Sequence, residues 1–412
     1  MKAVGIVAEY NPLHNGHIYH IDQAKSTAGA DAVVVAMSGD YVQRGEPAFC
    51  DKWARTELAL RAGADLAVEI PVLYCLGNAG QYAAGGVYAL ESLGKTSHIA
   101  FGSESADAEL LKSVAAFLSE HDAEISEAAA GMRNKGISYP AAREKAYADL
   151  RAGDAGVSTD DQSLASELEI LRNPNDILAL EYIMAMKSAR PLAVKRAGAG
   201  YNDGLTSGME FQSAGAIRKA YLEGEDISGY VPEYTMEMLA DTHVTGTALD
   251  GWWDTLRYAV MSASPDEIDE CPSGGEGLGN LFKKEIAGAS SWDDFAGRVK
   301  SKRYTYTRIS RLCMQLILGI RRDMFREGGA GYVRVLGFND TGRKLLGEIR
   351  DEECNTAPVI ININKETDAL DEDAKKILGL DVHAADIYNM TTGRSIADGS
   401  DHRRSPVMVL AK

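Results

Sequence analysis

Two histidines stand three residues apart around an Asn-Gly pair, His14-Asn15-Gly16-His17, just behind a short apolar run, Ala3-Val4-Gly5-Ile6-Val7, and an Asn11-Pro12 turn. At the start of a helix, unpaired N–H groups and the positive end of the helix dipole attract an anion. Gly16 removes a side chain where a phosphate or nucleobase would approach the backbone closely. Two imidazoles on one first turn project to the same side, where they can donate hydrogen bonds to phosphate oxygens as charge builds in a transition state. Other chemistry is open to the same residues. His14 and His17, with His20 nearby, could bind a metal, but such zinc sites need a further ligand and a carboxylate base, and no H-E-x-x-H occurs. Both could also be structural, and His20 reads as a structural residue or a nucleobase neighbour.

The elements that must position these residues follow a regular beat. Continuously apolar, β-rich runs cover Ala3 to Glu9, Ala32 to Met37, Asp65 to Ile70 and His98 to Gly102, with helical patterns over Ile18 to Thr27, Lys52 to Ala62 and Gln81 to Leu93 between them. Starts about 30 residues apart are the length of one strand-helix-strand unit. Strands apolar on both faces suit a parallel sheet covered by helices on each side. The right-handed crossover rule then favours an α/β, doubly wound, Rossmann-like parallel sheet, whose ligands bind beyond the carboxyl ends of the strands. That directs attention to Tyr10-Asn11-Pro12, Ser38-Gly39-Asp40 and Gly102-Ser103-Glu104. After Ala106 the pattern is helical to about Met186. Leu192 to Arg196 reads as one more strand, followed by a Gly-rich loop and a helix beginning near Ser213. The expected division is a Rossmann-like catalytic domain over 1–225, a mainly helical domain over 226–325, and a small C-terminal α/β region over 326–412. Ser264 to Asn280 reads as a loop from its Pro, Gly and Ser content.

The chain's 412 residues carry 60 acids against 43 bases, a net charge of −17 that on average repels nucleic acid. Yet Arg298 to Arg322 holds eight basic residues and no acid, with Tyr304 and Tyr306 interleaved. Such a window is either a solvated face paired with acids from elsewhere or a local contact for phosphates. No stretch reaches the roughly 18 to 20 apolar residues of a membrane helix. Met1-Lys2 leads directly into the first strand, so no cleavable leader is expected. Five scattered cysteines without a C-x-x-C pair read as reduced thiols of a cytoplasmic chain.

H-x-G-H behind the first strand of such a sheet resembles the signature of the HIGH-motif nucleotidyltransferases. Further segments narrow the likeness: Ser38-Gly39-Asp40-Tyr41-Val42-Gln43-Arg44-Gly45-Glu46-Pro47-Ala48, Asp51-Lys52-Trp53, Phe101-Gly102-Ser103-Glu104, Pro174-Asn175-Asp176-Ile177-Leu178, Lys195-Arg196, Ser213-Ala214-Gly215-Ala216-Ile217-Arg218, Glu276-Gly277-Leu278 and Lys302-Arg303-Tyr304-Thr305-Tyr306-Thr307-Arg308. In that order, from Val4 to about Phe338, they resemble the bacterial tRNA(Met) cytidine acetate ligase family.

The resemblance implies a two-step reaction. Acetate attacks the α-phosphorus of ATP to give acetyl-adenylate and pyrophosphate, and the wobble cytidine of elongator tRNA(Met) then takes the acetyl group as AMP leaves. It places the ATP site on Val7-Ala8-Glu9-Tyr10-Asn11-Pro12-Leu13-His14-Asn15-Gly16-His17-Ile18-Tyr19-His20, Gly102, Asn175, Arg196 and Ala197, where the family more often has Ile at the last position. His14 and His17 are expected to stabilise the transition state, with Mg2+ bridging phosphates and no protein metal ligand assigned. On the residues' own terms, Gly102 lets backbone approach a ligand, Asn175 either caps a helix or presents its amide, and Arg196 can fork onto phosphate. Ser213 and Arg218 are candidates for the pyrophosphate end. Asp40, Arg44 and Lys52 could shape the acetate or metal region. Lys302, Arg303, Tyr304, Tyr306, Arg308 and Arg311 are expected to touch tRNA, arginines on phosphates and aromatic faces on an unpaired base. No membrane and no protein partner enter this reading. A small-metabolite adenylyltransferase would leave the helical part and basic window without use, a non-catalytic nucleotide-binding module would not need the histidine pair, and a tRNA synthetase reading lacks a K-M-S-K-S run.

Overall fold

The computed structural model describes residues 1–133, 137, 139–153, 162–196, 211–241 and 249–410. Its centre is the expected parallel sheet. Strands β1 (Ala3–Ala8), β2 (Ala32–Ser38), β5 (Leu66–Ile70), β6 (Thr96–Ser103) and β7 (Arg190–Lys195) lie in the order β5-β2-β1-β6-β7, all parallel, while β3 (Tyr41–Val42) and β4 (Glu46–Pro47) form a separate small hairpin. Strand order reverses at β1, so the crevice between the carboxyl ends of β1 and β6 is where such a sheet takes a ligand.

Alternation along β2 shows why its whole length is apolar. Val33, Val35 and Met37 pack with Ile21 and Leu58 from the helices Asn15–Ala28 and Lys52–Arg61 on one face. Ala32, Val34 and Ala36 pack with Tyr82 and Val87 of the helix Ala79–Glu91 on the other. Each face is thereby sealed from water, at about 25 cal/mol per Å² of apolar surface removed.

The segment 326–412, expected to be a small α/β region of its own, instead extends this sheet. Strand β8 (Val333–Asn339) pairs antiparallel with β5, and β9 (Val359–Ile360) and β10 (Val407–Val409) pair parallel with β8. The physical reason is electrostatic as well as apolar. Buried Lys52 bonds Glu69 on β5 at 2.8 Å and Asp401 at 2.7 Å, and buried Arg334 on β8 bonds the same two carboxylates at 3.0 and 2.6 Å. Asp40 accepts from the Lys52 N–H at 2.8 Å. Lys52 and Asp40 are therefore tied into this buried ion cluster, and neither lines the cavity described below.

The boundary expected at 225/226 falls inside a packed unit. Ile217 and Ala220 share one apolar cluster with Ile227, Val231, Leu239 and with Phe49 and Cys50 of the first half. The helical part beyond it packs Leu256, Phe282, Trp292, Phe295 and Leu312 into the same continuous core as one sheet face. Within the stretch Ser264 to Asn280, expected as loop, a short helix Pro265–Asp269 forms. Ser264 and Glu267 cap it reciprocally with proline at its first turn, a start signal that outweighs the turn-forming composition. None of the five cysteines is in a disulfide. Among the described residues, no helix is long and apolar enough to cross a membrane.

Candidate active site

Beyond the ends of β1 and β6 lies a cavity of about 340 Å³. Its wall includes Val7, Ala8, Glu9, Tyr10, Asn11, His14, Gly16, His17, Tyr19 and His20, together with Gly102, Asn175, Arg196, Ser213 and Arg218. Most of the nucleotide-site residues expected from sequence thus converge. Pro12, Leu13, Asn15 and Ile18 do not line it: Leu13 and Ile18 pack in the apolar core, and the Asn15 amide bonds to Gly229 O at 3.2 Å. Ala197 lies outside the described residues.

The turn that carries the histidines is built differently from an open anion-binding helix start. His14 is the N-cap; its Nδ1 accepts from Gly16 N–H at 3.1 Å, and His17 Nδ1 accepts from His14 N–H at 3.3 Å. The Asn15 and His17 N–H groups donate to Tyr230 O and His14 O. The first backbone donors are therefore spent inside the protein, and the imidazoles stand in for them. A Cβ on Gly16 would come within 3.0 Å of the His14 ring, so this glycine, itself part of the cavity wall, makes room for the folded-back imidazole.

The two rings stack at 3.7 Å, and Tyr10 meets His17 edge-on at 4.9 Å. Burial, then the nearby Arg196 charge, holds His14 down at about 3. Burial, then His14, His20 and Arg196, hold His17 well below its ordinary range, and His20 sits at about 4 for the same leading cause. All three are neutral at pH 7. Because Nδ1 of His14 and of His17 is an acceptor, the ring proton of each sits on Nε2. The outcome is a pair of neutral donors on the cavity wall.

On the opposite wall, Glu104 accepts from Asn175 N–H and Asp176 N–H at the start of the helix Pro174–Ala185 and from the Asn175 amide at 2.5 Å. Asn175 Oδ1 in turn accepts from Arg196 Nη1 at 3.1 Å. The amide is a relay that orients Arg196, and its side chain caps nothing. A Cβ on Gly102 would lie 3.2 Å from Arg196 Cγ, so this glycine clears the arginine's stem. Ser213 caps the helix Ala214–Leu222 by accepting from Ala216 N–H at 3.2 Å, and Arg218 is anchored on Asn11 O at 2.6 Å.

Arg44 lines the cavity beside Val42 and Gln43. Sequence reasoning also passed over Tyr82, Leu178, Tyr182 and Phe211, which supply an apolar wall. Buried Arg55 was missed as well; it ties the carbonyls of Glu9, Ser38, Gly39 and Cys50 behind the site. Buried Asp176, whose carboxylate accepts from Ser103 Oγ and the Ser105 N–H beside Glu104, had a local signal, an acid following Pro-Asn at a helix start; the tyrosines had none.

The basic window lies on the far side of the β3–β4 hairpin. Ser310 Oγ donates to Gly45 O at 2.6 Å, and Gly45, at φ 83°, leaves no room for a Cβ beside the Arg311 backbone. Its aromatics are not free stacking faces: Tyr304 is buried under Arg303 and Arg308 with its hydroxyl on Glu276 O, and Tyr306 accepts from Trp292 Nε1. Arg308 bonds Ser273 O, Gly274 O and the Glu276 carboxylate, and burial lowers Arg311 to about 10. Lys302 and Arg303 are exposed. Acids and carbonyls from 267–276 thus neutralise much of what looked unpaired in sequence.

A family model described as HIGH Nucleotidyl Transferase matches residues 1–402. The tRNA(Met) cytidine acetate ligase of Clostridium perfringens (strain ATCC 13124) is 36% identical over 420 residues, covering 99% of this chain and 100% of that protein. The protein of that name from Lysinibacillus sphaericus (strain C3-41) is 33% identical, with 99% and 100% covered. The crystal structure of Thermotoga maritima TmcAL bound with alpha-thio ATP matches with a TM-score of 0.88 at 31% identity, covering 100% of both chains. Coverage near completion in both directions means that sheet, helical part and C-terminal strands match together, and the chain belongs to the tRNA(Met) cytidine acetate ligase family of HIGH nucleotidyl transferases.

Proposed function

We propose that this chain condenses acetate with ATP to acetyl-adenylate and pyrophosphate. It then passes the acetyl group to the N4 amine of the wobble cytidine of elongator tRNA(Met), and AMP leaves. The observation that carries this reading is the neutral His14–His17 donor pair at the crevice between β1 and β6, in a chain whose full-length relatives bear the ligase name. Acetate is an anion near neutral pH and needs no base to attack. The first step therefore calls for positioning and for relief of charge on the α-phosphate. His14 and His17 donate through Nε2–H to that phosphate, and Arg196, held by Asn175, binds the nucleotide's phosphates. Arg218 faces the departing pyrophosphate.

Mg2+ would neutralise the triphosphate as the leaving group develops. Such an ion keeps mostly phosphate and water ligands, and Glu9 is the sole carboxylate among the described lining residues, a fit to one protein ligand at most. Among the described residues no cluster of three or more metal-ligating side chains occurs.

In the second step the exposed Lys302 and Arg303 hold tRNA phosphates, while Arg308, Arg311, Tyr304 and Tyr306 shape that surface from beneath. A cytoplasmic site of action follows from the substrates. The test is transfer of labelled acetate into transcribed elongator tRNA(Met) with ATP alone. Label entering the tRNA at the wobble cytidine, with AMP formed, is the expected result; label that enters only from acetyl-coenzyme A would refute it.

A further inference from the structure

The acyl-transfer step poses a problem the nucleotide cavity does not solve. A cytidine N4 amine is weakly nucleophilic and must shed a proton as it acylates, and His14 and His17 already have Nδ1 engaged and Nε2 protonated. Strand β4 places a carboxylate next to that cavity. Glu46 pairs across the hairpin with Val42, and Val42, Gln43 and Arg44 are all cavity wall. The groups facing Glu46 come from every side: Arg44 on its own hairpin, Arg218 from the helix Ala214–Leu222, Glu9 from the end of β1, and Tyr306 from the helix Tyr306–Leu318. The first three line the cavity; the last belongs to the basic window. Glu46 therefore stands at the junction between the place where acetyl-adenylate forms and the surface from which tRNA arrives.

Its carboxylate is half-buried and, among the described residues, makes no hydrogen bond or close ion pair, unlike the buried acids Glu69, Asp176 and Asp401. Burial, opposed by Arg218 and Arg44, raises its pKa above the ordinary carboxylate value. A structural acid in this fold is tied down; this one is held in reserve.

We propose, resting on the function above, that Glu46 is the proton acceptor of acetyl transfer. The N4 lone pair attacks the acetyl carbonyl carbon, forming the C–N bond. The bond from that carbon to the adenylate oxygen breaks, AMP leaves with the electron pair, and one N4 proton passes to the Glu46 carboxylate. Arg44 and Arg218 keep that carboxylate ionised until the amine arrives.

The experiment separates the two steps in the full chain. Acetate-dependent ATP–pyrophosphate exchange reads the first; a single turnover, with enzyme preloaded by ATP and acetate and then mixed with transcribed elongator tRNA(Met), reads the second. In Glu46→Gln, exchange stays within about threefold while transfer slows by about 10²–10⁴, the usual worth of a positioned base. Glu46→Asp recovers part of the transfer rate, and it carries the comparison should the glutamine variant fail to fold. Wild-type transfer falls as pH drops through the raised Glu46 value, and the glutamine variant loses that limb. Unchanged transfer in Glu46→Gln, or exchange that falls as far as transfer, overturns the proposal. A wild-type chain that exchanges no pyrophosphate overturns the ligase reading itself, and this inference with it.

Discussion

Replacing His17 by alanine isolates what the stacked imidazoles contribute. Two effects must be separated. Structurally, the His14 N–H loses its 3.3 Å acceptor, and the rings of His14 and Tyr10 lose a partner at 3.7 and 4.9 Å. Removing a cap costs about 0.5–2 kcal/mol and removing an aromatic neighbour about 0.5–1.5 kcal/mol, enough to lower Tm by a few degrees and too little to unfold the sheet. Chemically, one preorganised donor to developing charge disappears, a loss of about 10²–10³ in kcat. Acetate-dependent pyrophosphate exchange measured beside a thermal melt distinguishes the two. His17→Gln, whose side chain is an ordinary capping-box partner at that position, should restore the melt and not the rate. Because burial keeps both imidazoles neutral, wild-type exchange should not decline as pH rises from 6 to 8 through the ordinary histidine range of about 6.5, as imidazolium donors would require. Exchange within about threefold of wild type in His17→Ala, far short of that loss, or a rate that tracks Tm across both variants, would refute the assignment.

Three further outcomes follow from other parts of the molecule. His14 and His20 have depressed values of about 3 and 4, so the unfolded chain takes up protons first; stability is full above pH 6.5 and is lost as pH falls toward 4. His20→Phe cannot take up that proton and should show a shallower fall of Tm over the same range. Lys302→Glu with Arg303→Glu should weaken tRNA binding and reduce the salt slope by about 0.7–0.9 for each phosphate no longer neutralised, while pyrophosphate exchange continues; an unchanged Kd would remove this surface from the interface. Arg308 is unsuited to that test, since its three anchors make any reversal a folding defect. Lys52→Met leaves Glu69 and Asp401 buried with Arg334 as their remaining cation and should cost about 3–5 kcal/mol in a denaturant melt; a change below about 1 kcal/mol would contradict the role given to the ion cluster.

How far the sequence reached depended on the range of the cause. The continuous apolar runs at Ala3, Ala32, Asp65 and His98 marked the strands within two residues, because a doubly covered parallel strand is apolar wherever it is read. The His14–His17 turn was legible for the same reason: a short stretch of chain holds all its parts. Gly16 and Gly102 both line the cavity, but the protein neighbours they also make room for, an imidazole and an arginine stem, left no local signal. Tyr82 and Tyr182 reach the cavity from helices about 100 residues apart and left no pattern. The basic window misled in one respect: Glu276 and the 267–276 carbonyls that satisfy Arg308, Arg321 and Arg322 lie some 30 to 50 residues upstream, so charge counted along the chain overstated the charge presented to solvent.

The antiparallel seating of β8 against β5 bears on how the molecule is made. Residues 66–70 acquire their edge neighbour only when 333–339 exist, and Lys52 gains its bond to Asp401 only with that later residue. A nascent chain emerging from the ribosome must therefore carry an unfinished nucleotide-binding half, one border bare, through the synthesis of the entire helical excursion. Closure waits for residues 333–339 and Asp401, so a product terminated before them would lack a finished catalytic sheet, not merely an accessory tail.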